Sequence, residues 1–326
     1  MNQTLNRTMV LPQLRHLFPV PRARSFATVV ISTLALIVAC LLFAPSSVTW
    51  GALSGSLPFA AIIAIVGLGQ LLVVQQGGFD LSLAGGVSLA VVISTHYPQG
   101  DNALLLPAVL IAVACAILAG LANGFLVSLC RLNPIVATIG MMWVVSGLAG
   151  GVSNGRLIPI LDESFQQIAL GSAFEIVPLF FVGLIVIGVV AYFVRSNFAI
   201  GRYVYAIGGD EGAAYYSAIP VAKIRIGVYG VAGVLYGVAG LLMASYVRSG
   251  MPTVGKGYEF KAITAAVLGG IALTGGRGNI FKAIVGAVIL IVLYGVITAF
   301  AVSPYIQGII QGAILVGAVY YATRND

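Results

Sequence analysis

Charge in this chain is confined to the gaps between long apolar runs, and that segregation limits the available folds more than any motif does. Asp, Glu, Lys and Arg make up 8% of the 326 residues, against 60% hydrophobic. Soluble domains carry about 25% charged residues, spread over every surface element. Here apolar runs occupy residues 26–44, 57–75, 81–97, 104–130, 134–152, 176–194, 226–247, 262–276, 283–302 and 305–322. About 20 apolar residues are needed to cross a bilayer as a helix, and a helix satisfies its own backbone hydrogen bonds there. The pattern predicts an all-α polytopic membrane protein of about ten transmembrane helices. The third and eighth runs are short and glycine-rich, so they are predicted as broken or re-entrant elements.

Lys and Arg orient the spans. Arg7, Arg15, Arg22, Arg24, Arg131, Arg195, Arg202, Lys223, Arg225, Arg277, Lys282 and Arg324 fall on one side of a ten-span topology. Arg156, Arg248, Lys256 and Lys261 fall on the other. The bias places both termini in the cytoplasm, with residues 1–25 as a cytoplasmic tail and 26–326 as a single transmembrane domain. The stretch 248–261 dissents, and the eighth span is where this count is weakest. The net charge of +7 then belongs to loops facing anionic lipid, and nucleic acid is not an expected partner. The first apolar run starts too late for a signal peptide and lacks a small-residue cleavage site. Cys40, Cys115 and Cys130 have no metal spacing and read as small packing residues.

Enzymatic constellations fail one by one. The run from Gly250 to Gly257 approaches a phosphate-binding loop, but Gly257 stands where a Ser or Thr would hold magnesium, and the run follows a span instead of a strand. No nucleotide or metal is expected on this chain. His16 and His96 lie on opposite sides of the predicted membrane. Apart from His96, the spans hold no ionisable acid or base, which disfavours proton coupling. They do hold neutral polar groups suited to a transient path for a polyhydroxylated solute. Gln70, Asn123, Trp143, Tyr246, Tyr294 and Gln307 are the candidate pathway residues, with Gln75, Thr138, Ser146 and Gln311 of the same kind. For any one of them, interhelical hydrogen bonding is the more ordinary role. Glycines four apart, at 120/124, 147/151, 233/237 and 308/312, predict closely packed helices.

The longest predicted cytoplasmic loop, about 196–225, carries a short helix. Asp210 and Glu211 suit its N-terminus, where the helix dipole favours negative charge, and Pro220 limits its far end. Such a helix can dock a soluble partner, or can simply lie at the interface as a loop helix. A secondary, ion-coupled transporter or channel for a small neutral solute remains the alternative reading of these features.

Four stretches resemble the ribose-type (ribose, xylose, arabinose, autoinducer) family of bacterial ABC importer permeases. Gly77-Gly78-Phe79-Asp80-Leu81-Ser82-Leu83 is similar to its "GG-x-DLS" turn, and Asn133-Pro134-Ile135-Val136-Ala137-Thr138-Ile139-Gly140 to its "NP-x-I-x-T-L-G" stretch. Tyr205 through Pro220 resembles its coupling segment. Ala265-Ala266-Val267-Leu268-Gly269-Gly270 with Gly275-Gly276-Arg277-Gly278 resembles its late glycine-rich signature. Two departures occur: Ala84-Gly85 stands where the family has Gly-Ser, and Ala218 where Gly precedes the Ile. The resemblance implies a multi-pass protein of the bacterial inner membrane that imports a sugar or sugar-like solute by alternating access. It implies a second permease subunit, identical or related, two cytoplasmic ATP-binding subunits carrying the ATP and magnesium, and a periplasmic substrate-binding protein. Carried over by position, Gly208, Gly209, Asp210, Glu211, Ala213, Ala214, Ser217 and Ile219 form the ATPase-coupling set.

Overall fold

The computed structural model describes residues 49–98, 101–159, 171–173, 177–268, 280–299 and 302–324, with the single positions 38, 41, 42, 45, 165, 275, 276 and 278. The predicted tail (1–25), nearly all of the first span (26–44), residues 269–274 of the eighth and Arg277 lie outside the described residues.

Helices dominate the described chain. They are α1 (Trp50–Gln75), α2 (Leu83–His96), α3 (Leu105–Ser128), α4 (Pro134–Ser153), α5 (Leu179–Asn197), α6 (Ala199–Gly209), α7 (Glu211–Tyr216), α8 (Val221–Val247), α9 (Tyr258–Leu268), α10 (Ile280–Ala299) and α11 (Pro304–Arg324). Among the described residues five helices are long and apolar enough to cross a membrane: Leu57–Gln75, Asn102–Ser128, Pro134–Ser153, Leu179–Asn197 and Val221–Val247. Shorter apolar helices, Leu83–His96, Ala283–Gly295 and Tyr305–Gly317, accompany them. The short third run is α2, whose 14 residues rise only about 21 Å, less than the hydrocarbon thickness. Its counterpart in the eighth run, α9, is described over 11 residues, up to Leu268. Two-residue antiparallel pairs join the connecting segments, Ile158–Pro159 with Ser249–Gly250 and Ser172–Ala173 with Val177–Pro178.

Local chemistry sets the helix limits. Pro134 occupies the first turn of α4, where its missing N–H costs nothing. The Asn133 side chain caps that turn by accepting from the Ile135 amide at 3.0 Å. Asn154 (φ 50°) and Arg248 (φ 56°) end α4 and α8 in the left-handed region.

Most of α1 is buried on all faces, and α8 packs against α1, α2 and α3. The α3–α8 contact is built on glycine. A Cβ at Gly120 would lie 2.3 Å from the Tyr229 carbonyl oxygen, and one at Gly233 would lie 2.4 Å from that of Ala116. Gly124 and Gly237 repeat the arrangement one turn away. The pairs at 147/151 and 308/312 have open space around them, so spacing alone does not identify which glycine faces are packed. The outer helices carry large apolar side chains outward, among them Leu106, Leu118, Val144, Val189 and Phe193. A band of this kind on helices of spanning length is solvated by hydrocarbon.

Candidate functional site

The segment between α5 and α8 folds as two helices where the sequence pattern suggested one. The break falls at Asp210, whose extended backbone (φ −158°, ψ 109°) ends α6. Its carboxylate accepts from the Ala213 amide at 2.9 Å and starts α7. The predicted N-terminal role of Asp210 therefore holds for α7. At the other end the Ile219 amide donates to the Ala214 carbonyl at 3.1 Å, and Ala218 sits at φ +59°. That backbone explains why a glycine suits this position. Ile207, Ala214 and Val221 form a small core that clamps α7 onto the start of α8. Arg225 pairs with Glu211 at 2.9 Å across the same turn.

The coupling set divides into two groups. Gly209, Asp210, Glu211, Ala213 and Ser217 are exposed, with Ile219 half-buried beside them. Tyr215 and Tyr216, which spacing arguments did not single out, are 70% and 89% exposed, with ring centroids 5.9 Å apart. Ala214 is buried in the clamp. Gly208 points inward: a Cβ there would lie 1.8 Å from the Gln75 carbonyl oxygen and 2.5 Å from the Gly276 nitrogen.

Beneath this knob lies a joint of several chain segments. The Gly276 amide donates to the Gln75 carbonyl at 3.0 Å. The Gln75 Nε2 donates to Tyr205 Oη at 3.1 Å, and that hydroxyl donates to the Gly278 carbonyl. Arg195 Nη1 donates to the same carbonyl at 3.3 Å, its guanidinium 5.1 Å from the Tyr205 ring centre. Burial raises the Tyr205 phenol above its ordinary value, against a smaller opposing effect of Arg195, so the phenol remains a donor.

The turn joining α1 to α2 adjoins the joint. Gly77 (φ +80°) reverses the chain, and Asp80 is wholly buried. Asp80 Oδ1 accepts from the Ser82 amide at 2.9 Å and from the Ser82 hydroxyl at 2.6 Å. Asn123 Nδ2 donates to Ser82 Oγ at 2.7 Å. Tyr229 Oη donates to the Phe79 carbonyl at 2.9 Å, and the Leu81 amide donates to Thr138 Oγ1 at 3.1 Å. Burial raises the Asp80 carboxyl from 3.8 to about 6, its bonds to Ser82 opposing the shift. The four stretches singled out in the sequence thus meet: Leu81 touches Thr138, and Gly275 packs against Gly77 and Gly208.

Among the described residues the six candidate pathway residues sit in different surroundings. Gln70 and Asn123 are buried between helices, the former 3.5 Å from Tyr236 Oη. Trp143 is 71% exposed on the outer face of α4. Tyr246 stacks edge-on against Phe59 at 4.6 Å. Tyr294 Oη donates to Gln311, and Gln307 Nε2 donates to the Val302 carbonyl at 2.9 Å. Ser146 faces Gly85 across the α2–α4 contact. A cavity of about 390 Å³ opens between α1, α5 and α8, but its walls are apolar apart from Gln75 and Arg195. In the near-phosphate-loop, the Gly255 amide donates to Ser88 Oγ at 2.9 Å, and a Cβ there would lie 2.1 Å from the Ala84 carbonyl. That backbone packs on α2.

Residues 52–319 match the family model described as "Branched-chain amino acid transport system / permease component". The chain is 32% identical over 298 residues to the L-arabinose transport system permease protein AraH of Escherichia coli (strain K12), covering 88% of this chain and 87% of that one. It is 31% identical over 302 residues to the ribose import permease protein RbsC of the same strain, covering 91% and 93%. A probable ABC transporter permease protein, y4mJ, of Sinorhizobium fredii is 32% identical over 275 residues, covering 84% and 82%. No solved structure matches.

Proposed function

Because the chain belongs to the family described as the permease component of branched-chain amino acid transport systems, we propose that it is the membrane-spanning subunit of an ABC importer for a sugar or sugar-like solute. The relatives named for arabinose and ribose cover most of both chains, which favours a sugar over the amino acids of the family's title.

The observation that carries the coupling half of this reading is the knob at 209–219. It projects between two spans, is capped at both ends, and presents Tyr215 and Tyr216 almost bare. Two exposed tyrosines are costly to leave in water and are favoured anchors in protein interfaces. We assign the face formed by Gly209, Asp210, Glu211, Ala213, Tyr215, Tyr216 and Ser217 to docking on an ATP-binding subunit. Movement of that subunit tilts the helices attached to the knob and alternates access as rigid bodies, with no chemistry on this chain. ATP and magnesium belong to the two ATP-binding subunits, and a periplasmic binding protein and a second permease subunit complete the assembly. Lys and Arg bias puts the knob and both termini in the cytoplasm, with about ten elements at membrane depth in the bacterial inner membrane.

Reconstitution tests this reading. The chain in liposomes with ATP-binding subunits and binding protein is expected to accumulate radiolabelled solute only when ATP is supplied. Gly209→Trp or Ala213→Trp is expected to abolish accumulation while the protein keeps its fold, because both positions are exposed. Flux driven by an imposed ion gradient through the chain alone would refute the proposal.

A further inference from the structure

We infer that Tyr205 is a positioning residue for coupling: its hydroxyl ties the knob's supporting helix to the end of α1 and to residues 275–278, so that motion of the docked knob reaches the spans. This rests on the docking reading above.

The Glu211–Arg225 pair and the core of Ile207, Ala214 and Val221 hold the knob to the start of α8, and beyond these it connects to the rest of the chain in two ways. One is covalent, through α8 on one side and through α6 and the turn at Phe198 on the other. The second is the joint, where α6 meets segments that are distant in sequence. The contact at Gly208 is backbone against backbone, with a Cβ-sized gap absent. A contact of that kind resists compression, so it passes a push from α6 to α1. It carries no tension. Tension needs bonds, and among the described residues the hydrogen bonds from α6 to α1 and to 275–278 run through Tyr205 Oη, which accepts from Gln75 and donates to Gly278. Arg195 holds the Gly278 carbonyl from the last turn of α5, and the Gln75 carbonyl holds the Gly276 amide. Both ends of Gln75 are therefore engaged, and a displaced Tyr205 displaces both. Gly275 and Gly276, at φ +91° and +65°, admit the tight turn that brings the segment within reach.

Tyr205→Phe removes the two bonds and keeps the ring against Arg195. The test uses hydrogen–deuterium exchange on the chain assembled with its ATP-binding subunits, with and without a non-hydrolysable ATP analogue. In the wild-type assembly the subunits should protect 209–219, and the nucleotide should change exchange at 275–278. In Tyr205→Phe the protection should persist while the nucleotide response at 275–278 falls about tenfold, as expected for two hydrogen bonds of ordinary worth. Gln75→Leu should lose part of the response, and the double variant should add nothing to Tyr205→Phe. Absence of protection at 209–219 in the wild type would overturn the docking reading itself. Protection with an undiminished response in Tyr205→Phe would overturn this inference alone. Should Tyr205→Phe fail to assemble, an undiminished response in Gln75→Leu overturns it equally.

Discussion

Replacing Gly208 by Ala places one methyl group where the structure has no room, and its neighbour Gly209 supplies the control. At Gly208 the new Cβ would meet the Gln75 carbonyl oxygen at 1.8 Å, while at Gly209 nothing lies within 4 Å. Ordinary contact begins near 3.4 Å, so α6 and the end of α1 must part by about 1.6 Å. Neither neighbour is the end of a flexible side chain: both are backbone. Overpacking of this kind costs about 1–3 kcal/mol. The shift also pulls the Gly276 amide off Gln75, about 1 kcal/mol more, and the better helix propensity of Ala returns at most about 1 kcal/mol. The net expectation for Gly208→Ala is a loss of about 1–3 kcal/mol, and for Gly209→Ala a change between zero and a gain of about 1 kcal/mol. Thermal unfolding in a mild detergent reads the difference. At about 2 °C per kcal/mol for a chain of this size, the two variants should melt roughly 5 °C apart. Equal melting temperatures would refute the interlocked geometry at 75, 208 and 276.

Three further outcomes follow from local geometry. Ala218 holds a left-handed backbone at φ +59°, so Ala218→Gly should stabilise by up to about 1 kcal/mol, the relieved strain exceeding the entropy glycine adds to the unfolded chain. The Asp80 carboxyl is raised by burial from 3.8 to about 6. The folded state therefore binds the proton more tightly, and stability should fall by about 3 kcal/mol as pH rises from about 4 to about 6, then level off. Asp80→Asn should remove Asp80's share of that slope, leaving a smaller one from Glu259, which burial also raises, read as melting temperature against pH, and a wild-type profile flat over the interval would contradict the buried placement. Gly233→Ala should destabilise, since its Cβ would lie 2.4 Å from a backbone oxygen of α3, whereas Gly147→Ala, with open space around it, should not; detergent melting curves distinguish them.

The order and kind of the elements were legible in the chain because solvation is a local property. Runs such as 57–75 and 134–152 are apolar along their whole length, and hydrocarbon leaves a helix as the way to bury their amides. Asp210 as a helix start and the shortness of the third run were legible for the same reason: capping and span length depend on a few neighbouring residues. What the tertiary structure decided is which groups separated by long stretches of chain come into contact. Nothing in the spacing of Gln75, Tyr205 and Gly278 distinguishes a joint from three solvated ends, because a hydrogen bond across 130 residues leaves no periodic trace. The same holds for the glycines. Gly120 and Gly147 read alike in sequence, yet one meets a backbone oxygen and the other open space, since packing depends on which helix arrives opposite. Gly208, grouped by position with the outward docking residues, proves to face inward, about 100° around the helix from exposed Gly209, and only the partner at Gln75 reveals which side is covered.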